Sequence, residues 1–176
     1  MAAVRPPQQG DEWVALTPDP LPVDEAAAWA VQVGCGAVVS FSGTARDHAG
    51  DRHDVTGLEY EAFEDQALPR MHHIVAAARR RWPELGRMVL IHRVGPVALG
   101  QSAVVVVAAA PHRDEAFAAC RYGIDAVKAT VPIWKRETWG AGQSWGLQAQ
   151  HLVDLDEWDP AWDDASKVRS GAGGGS

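Results

Sequence analysis

Much of what this chain lacks bears on its chemistry. No run of about 18 apolar residues occurs, so the sequence offers no membrane-spanning helix. Its longest apolar stretch, AVVVVAAAP at 103–111, has the length of a strand. The opening residues, MAAVRPPQQGDEW, contain no apolar segment of the kind a secretory signal needs. Cysteine is scarce: Cys35 and Cys120 stand far apart in no CxxC pattern, which suits a reduced, cytoplasmic setting. The glycine-rich phosphate loops and the GxSxG nucleophile turn are absent. So is an excess of positive charge. The net charge is −7, which excludes a general nucleic-acid binder. No internal repeat is visible.

What is present suits one domain: 176 residues, 47% of them hydrophobic, are enough to bury a core. The charge is uneven. Acid crowds DLDEWDPAWDD at 154–164, while Lys and Arg concentrate around 79–93 and 113–136. A basic pocket on an acidic protein selects a small anion rather than a polyanion. Residues 1–11 read as a disordered lead-in, 12–153 as the folded domain, and 154–176 as a flexible acidic and Gly/Ser-rich tail.

Within the domain, WVALT (13–17), GAVVSFSGTA (36–45), VTGLEYEAF (55–63), RMVLIHRVG (87–95) and SAVVVVAAAP (102–111) read as strands. PIWKRET and WGLQA read as a further pair around WGAGQS. Helices are expected over EAAAWAVQV after an Asp24 cap, over the segment holding Leu68, Met71, Val75, Ala78 and Trp82, and from about 115 to 130. The last has Asp114 as its cap and Phe117, Cys120, Ile124 and Val127 as its inner face. The fold class is α+β.

Three stretches carry candidate chemistry. In PHRDEAF at 111–117, His112 and Arg113 stand where a helix opens, beside unpaired N–H groups that attract anions. In FSGTARDH at 41–48, a strand runs out through Thr44 and Ala45 into Arg46, and the small residues let backbone approach a ligand. In KATVPIWKRE at 128–137, Lys128 follows Arg121 and Asp125 on one helix face, and an Asp125–Lys128 surface pair would explain it. Lys135, between Ile133, Trp134, Arg136 and Glu137, is harder to explain as decoration. A lysine in a partly dry, cation-rich pocket is a usable nucleophile or base, and Glu137 is placed to orient it or relay a proton. Elsewhere, DHAGDRHD at 47–54 matches no metal-ligand spacing and reads as a solvated loop. Cys120 reads as core. Neither a metal nor a cofactor is expected.

These stretches, in this order, resemble the catalytic (large) subunit family of molybdopterin synthase. The resemblance rests on GAVVSFSGTARDH, IHRVGPVALGQSAVVVVAAAPHRDEAFAAC and DAVKATVPIWKRE, and runs from about Gly36 to Trp145. It implies an α/β hammerhead-like domain with an additional antiparallel β-sheet. It also implies a sulfurtransferase of molybdenum cofactor biosynthesis that converts cyclic pyranopterin monophosphate to molybdopterin. The sulfur would come from the thiocarboxylated Gly-Gly C-terminus of a small ubiquitin-like subunit, in a heterotetramer centred on a homodimer of large subunits. By the same resemblance Lys128 and Lys135 are the catalytic lysines. Phe41, Thr44, Ala45, Arg46, His112, Arg113, Arg136 and Glu137 join both lysines in binding substrate. Three rival readings stand beside it. A non-catalytic module for a phosphorylated heterocycle would need the Arg/His cluster but no reactive lysine. A metal-dependent phosphate-ester hydrolase would use the His/Asp loop, and a structural dimerisation protein would need no such cluster.

Overall fold

The computed structural model describes residues 4–48, 53–140, 142–145, 152–158 and 160. The chain runs β1 (Glu12–Thr17), α1 (Val23–Ala30), β2 (Ala37–Thr44), β3 (Val55–Ala62), α2 (Glu64–Arg81), β4 (Met88–Arg93), β5 (Gly95–Val97), β6 (Ser102–Ala110), α3 (Arg113–Thr130), β7 (Ile133–Trp139) and β8 (Gly142–Trp145). Two four-stranded sheets result, ordered β1-β4-β6-β2 and β5-β3-β7-β8. Among the described residues only the β1–β4 pairing is parallel, and the pairings of the second sheet are antiparallel. This is the mixed α+β fold with an added antiparallel sheet that the sequence led us to expect.

Strand β6 explains the first sheet. Its SAVVVVAAA lacks the polar alternation of a half-solvated strand because both faces are covered. Val104, Val106, Ala108 and Ala110 face α2 and α3, in a core with Met71, Ile74, Met88, Leu90 and Cys120. Val105, Val107 and Ala109 face α1, with Trp13 and Trp29 edge-on to each other at 5.8 Å. Helix α3 lies close on β6: a Cβ on Gly123 would meet Val106 Cγ1 at 2.8 Å and Met88 Cε at 3.1 Å. Only glycine allows that approach.

Arginines tie the layers. Arg70 Nη1 donates to the Thr130 carbonyl at 2.6 Å, satisfying an end carbonyl of α3. Arg79 donates to Glu12 Oε1 (2.8 Å), to Leu85 O (3.0 Å) and to Asp11 O (2.7 Å), fixing the end of α2 to the start of β1. Pro69 lies inside α2, in its second turn, where it removes one backbone bond without ending the helix. No helix among the described residues is long and apolar enough to cross a membrane.

Several local expectations are corrected. Helix α1 begins at Val23, with Pro22 rather than Asp24 in the cap position, and it ends at Ala30 where Val31 turns extended. His112, not Asp114, holds the N-cap position of α3; Asp114 lies in the first turn, where its charge favours the helix dipole. Phe117 is 62% exposed. The inner stripe runs through Ala116, Ala119, Cys120, Gly123, Ile124 and Val127, and Phe117 falls one position off it. Strand β8 is GQSW at 142–145, reached by a tight turn, so most of the expected WGLQA strand lies outside the described residues.

The acidic tail is also less free than expected. Val153 N donates to Ala129 O at 3.1 Å, Leu155 joins the main core, and the Trp158 ring stands 5.4 Å from that of Tyr122. Residues 152–158 therefore pack across α2 and α3. Residues 161–176 lie outside the described residues.

Candidate active site

Helix α3 sets the layout. It leaves β6, turns back, and packs on β6 and β2, with Cys120 Sγ donating to Val106 O at 3.4 Å midway along. Eighteen residues at 1.5 Å each separate its ends by about 27 Å. His112 and Arg113 stand at one end and Lys128 in the last turn at the other. The buried pair Val131 and Pro132 then leads directly into β7 and Lys135.

Arg46 belongs to the Lys128 end. Strand β2 starts beside Pro111, where Gly36 N donates to Pro111 O, and finishes opposite Ser102. Ala45 is then clamped to the turn before β6: its N–H donates to Gln101 O at 2.9 Å, and its carbonyl accepts from Gly100 N at 2.7 Å. Ala45 is buried with Val55, Leu58, Val97 and Ala103, and Tyr60 packs on the same cluster. This cluster is the joint between the two sheets, and Tyr60 is the direct register partner of Lys135. Arg46, Lys128 and Lys135 thus lie towards the same end of the fold, the one that the C-terminal end of α3 reaches.

His112 and Arg113 do not join them within one chain. They line a cavity of about 490 Å3 with Gly36, Ala37, Pro111 and Asp114 at the opposite end of β2. Phe41 and Thr44 lie between the groups on β2; Phe41 packs half-buried on the helix side and Thr44 is exposed.

Alternation along β7 divides its charges between two faces. Arg136 points to one side and pairs with its register partner Glu59. Lys135 and Glu137 point to the other, with Lys135 Nζ 2.6 Å from Glu137 Oε1. The Glu137 side chain is 4% exposed and that of Lys135 34%. A buried carboxylate therefore holds the ammonium of a side chain that is still about one-third exposed. Losing the lysine would take a close cation from that buried carboxylate, the costly direction of such a change.

Lys128 is not the surface ion-pair partner of Asp125. Asp125 pairs with Arg121 at 3.4 Å. Among the described residues no carboxylate lies within ion-pair distance of Arg46, Arg113 or Lys128, whereas Arg79 and Arg87 each have one. Exposed cations without carboxylates are free to meet an anion. Cys120 is core, as expected, and burial pushes its thiol up to about 12, far from a reactive thiolate. Among the described residues no group of three or more His, Cys, Asp and Glu is placed to hold a metal ion; His48 bonds Asp47 at 2.8 Å.

Sequence reasoning passed over Tyr60 and His92. His92 is 6% exposed, and burial holds it down to about 4; its ring is edge-on to Tyr60 at 5.0 Å. The signal was a histidine closing the otherwise apolar run MVLIH, on a strand with no loop to explain it.

A family model described as MoaE protein matches residues 16–130. A molybdopterin synthase catalytic subunit of Nostoc sp. (strain PCC 7120 / SAG 25.82 / UTEX 2576) is 45% identical over 130 residues, covering 74% of this chain and 78% of that protein. One from Culex quinquefasciatus is 40% identical over 134 residues, covering 76% and 85%. Among solved structures, molybdopterin synthase from Staphylococcus aureus superposes with a TM-score of 0.70 at 30% identity, covering 74% of this chain and 94% of that one.

Proposed function

The chain belongs to the MoaE family of molybdopterin synthase catalytic subunits, and from that premise we propose how its residues serve molybdopterin synthesis. The substrate is cyclic pyranopterin monophosphate, and the sulfur donor is the thiocarboxylated C-terminus of a small ubiquitin-like subunit. Arg46, His112 and Arg113 receive the phosphate and pterin oxygens, Arg through its planar fork. Lys128 meets the thiocarboxylate carbonyl and offsets the negative charge that grows on its oxygen as sulfur is transferred. Lys135 binds the substrate and moves protons, with Glu137 setting its direction. The observation that carries this reading is the Lys135–Glu137 pair at 2.6 Å at the same end of α3 as Lys128.

A single chain holds the Arg46 and Arg113 ends of β2 apart, so a complete site needs a second copy. Strand β2 is an edge strand of its sheet. Antiparallel pairing of two such edges about their midpoint sets Thr44 of one copy beside Ala37 of the other, and so brings Arg46 towards the cavity of His112 and Arg113. This supports a homodimer at the centre of a heterotetramer with two small subunits. The two free cysteines fit a cytoplasmic protein.

The decisive experiment incubates the full chain with thiocarboxylated small subunit and cyclic pyranopterin monophosphate and detects dithiolene product by mass. Lys128→Ala should lower product formation by about a hundredfold or more while the melting temperature stays unchanged. Near-normal turnover by that variant would remove the assigned role.

A further inference from the structure

Among the described residues Glu137 is the buried carboxylate, and its charge is felt by Tyr60, a ring outside every assignment above that packs edge-on against His92. We propose that Tyr60, braced by His92, is a positioning residue for Lys135 that acts through Glu137: its ring keeps water from the carboxylate and so fixes where the ammonium sits. The proposal rests on the reading of Lys135 as a working lysine.

Register supplies the first support. Tyr60 is paired with Lys135 and Leu58 with Glu137 across β3 and β7. Residues directly opposite on an antiparallel pair share a face, with Cβ atoms about 5 Å apart. Leu58, Tyr60, Lys135 and Glu137 therefore form one four-residue patch turned towards the sheet joint. The phenol senses the carboxylate: burial, and then the charge of Glu137, raise the Tyr60 hydroxyl above its ordinary value. Tyr60 thus remains a neutral wall at working pH.

His92 supplies the second. It reaches the patch from β4, in the other sheet, and meets the Tyr60 ring at 5.0 Å with the planes at 69°. Its Nδ1–H donates to the Arg93 carbonyl at 2.7 Å, which fixes both tautomer and ring direction. Because His92 stays neutral above about pH 4, it brings no second cation to compete with Lys135 for Glu137. On the β5 side the partner of Tyr60 is Gly95, which has no side chain to push the ring aside. The whole makes an asymmetric clamp: a dry carboxylate behind, a wet ammonium in front.

The test reads Lys135 directly. The full chain is reductively methylated with formaldehyde and cyanoborohydride, and the rate at Lys135 is followed by peptide mass mapping, with Lys128 as internal reference. An ammonium held by a carboxylate reacts slowly. Glu137→Gln should speed labelling of Lys135 about fivefold or more, and Tyr60→Ala about threefold, within the range of coupling between contacting residues. Tyr60→Phe should label like the wild type, since the ring and not the hydroxyl does the work. In the Glu137→Gln background Tyr60→Ala should add nothing, because its effect runs through the carboxylate. In turnover, Tyr60→Ala should lower kcat with little change in KM, and Tyr60→Phe should restore it. If the alanine variant melts, Tyr60→Leu takes its place. Wild-type labelling in the folded variant, or an equal increment in both backgrounds, overturns the proposal. If the wild type forms no product, the functional reading falls, while the labelling still decides the positioning.

Discussion

Strands β6 and β7 both lie inside their sheets, yet one is valine and alanine and the other carries Lys135, Arg136 and Glu137. Their surroundings account for the difference. Strand β6 is covered by α1 on one face and by α2 and α3 on the other, so every residue from Ala103 to Ala110 is buried. Strand β7 sits where the second sheet meets the end of the first. There the apolar cover stops, and charge can be half-buried without being stranded. Stability is concentrated in the dry sheet and reactivity at its edge, and a residue suited to one strand would ruin the other.

Moving charge into the dry sheet should have the largest effect. A lysine at position 106 has no carboxylate to meet it on either face, so Val106→Lys should yield no cooperatively folded protein, whereas lysine at 135 is tolerated. Circular dichroism melts of the purified variant decide this. Next, Leu90→Ala should cost about 3–4 kcal/mol in urea unfolding, from lost burial and the cavity left behind, while the folded protein retains its turnover.

His92 gives the joint a pH signature. Unfolded, it takes a proton near 6.5; folded, it resists until about 4, so the unfolded state binds more protons in that window. Stability should be full above pH 6.5 and fall by about 2–3 kcal/mol as pH drops towards 4. His92→Phe should flatten that part of the profile. The smallest effect belongs to the tail: Trp158→Ala should cost about 1 kcal/mol by removing one aromatic contact, seen as a modest fall in melting temperature. An unchanged melt would return residues 154–158 to the free tail expected from sequence.

The fold was largely legible because its signals are local. The runs 13–17, 36–45, 55–63, 87–95 and 102–111 all contain strands, and three helices appear near their expected places. What escaped depended on distance. Phe117 looked inward by type, yet it falls one position off the stripe that α3 turns towards β6. The tail looked free by composition, yet Leu155 and Trp158 found an apolar seam between two helices. Lys135 and Glu137 were visible as a pair two residues apart on a strand. Tyr60 and His92 were not, because their place beside that pair depends on β3–β7 register and on a contact between separate sheets.

Helix α3 also behaves as a ruler. Its eighteen residues fix both how far His112 and Arg113 stand from Lys128 and which way Lys128 points. One inserted residue would lengthen the span by only about 1.5 Å but swing Lys128 through about 100°. Length in this helix is therefore set by angle rather than by reach. An insertion that a surface turn would absorb as slack would here turn one end of the site away from the other.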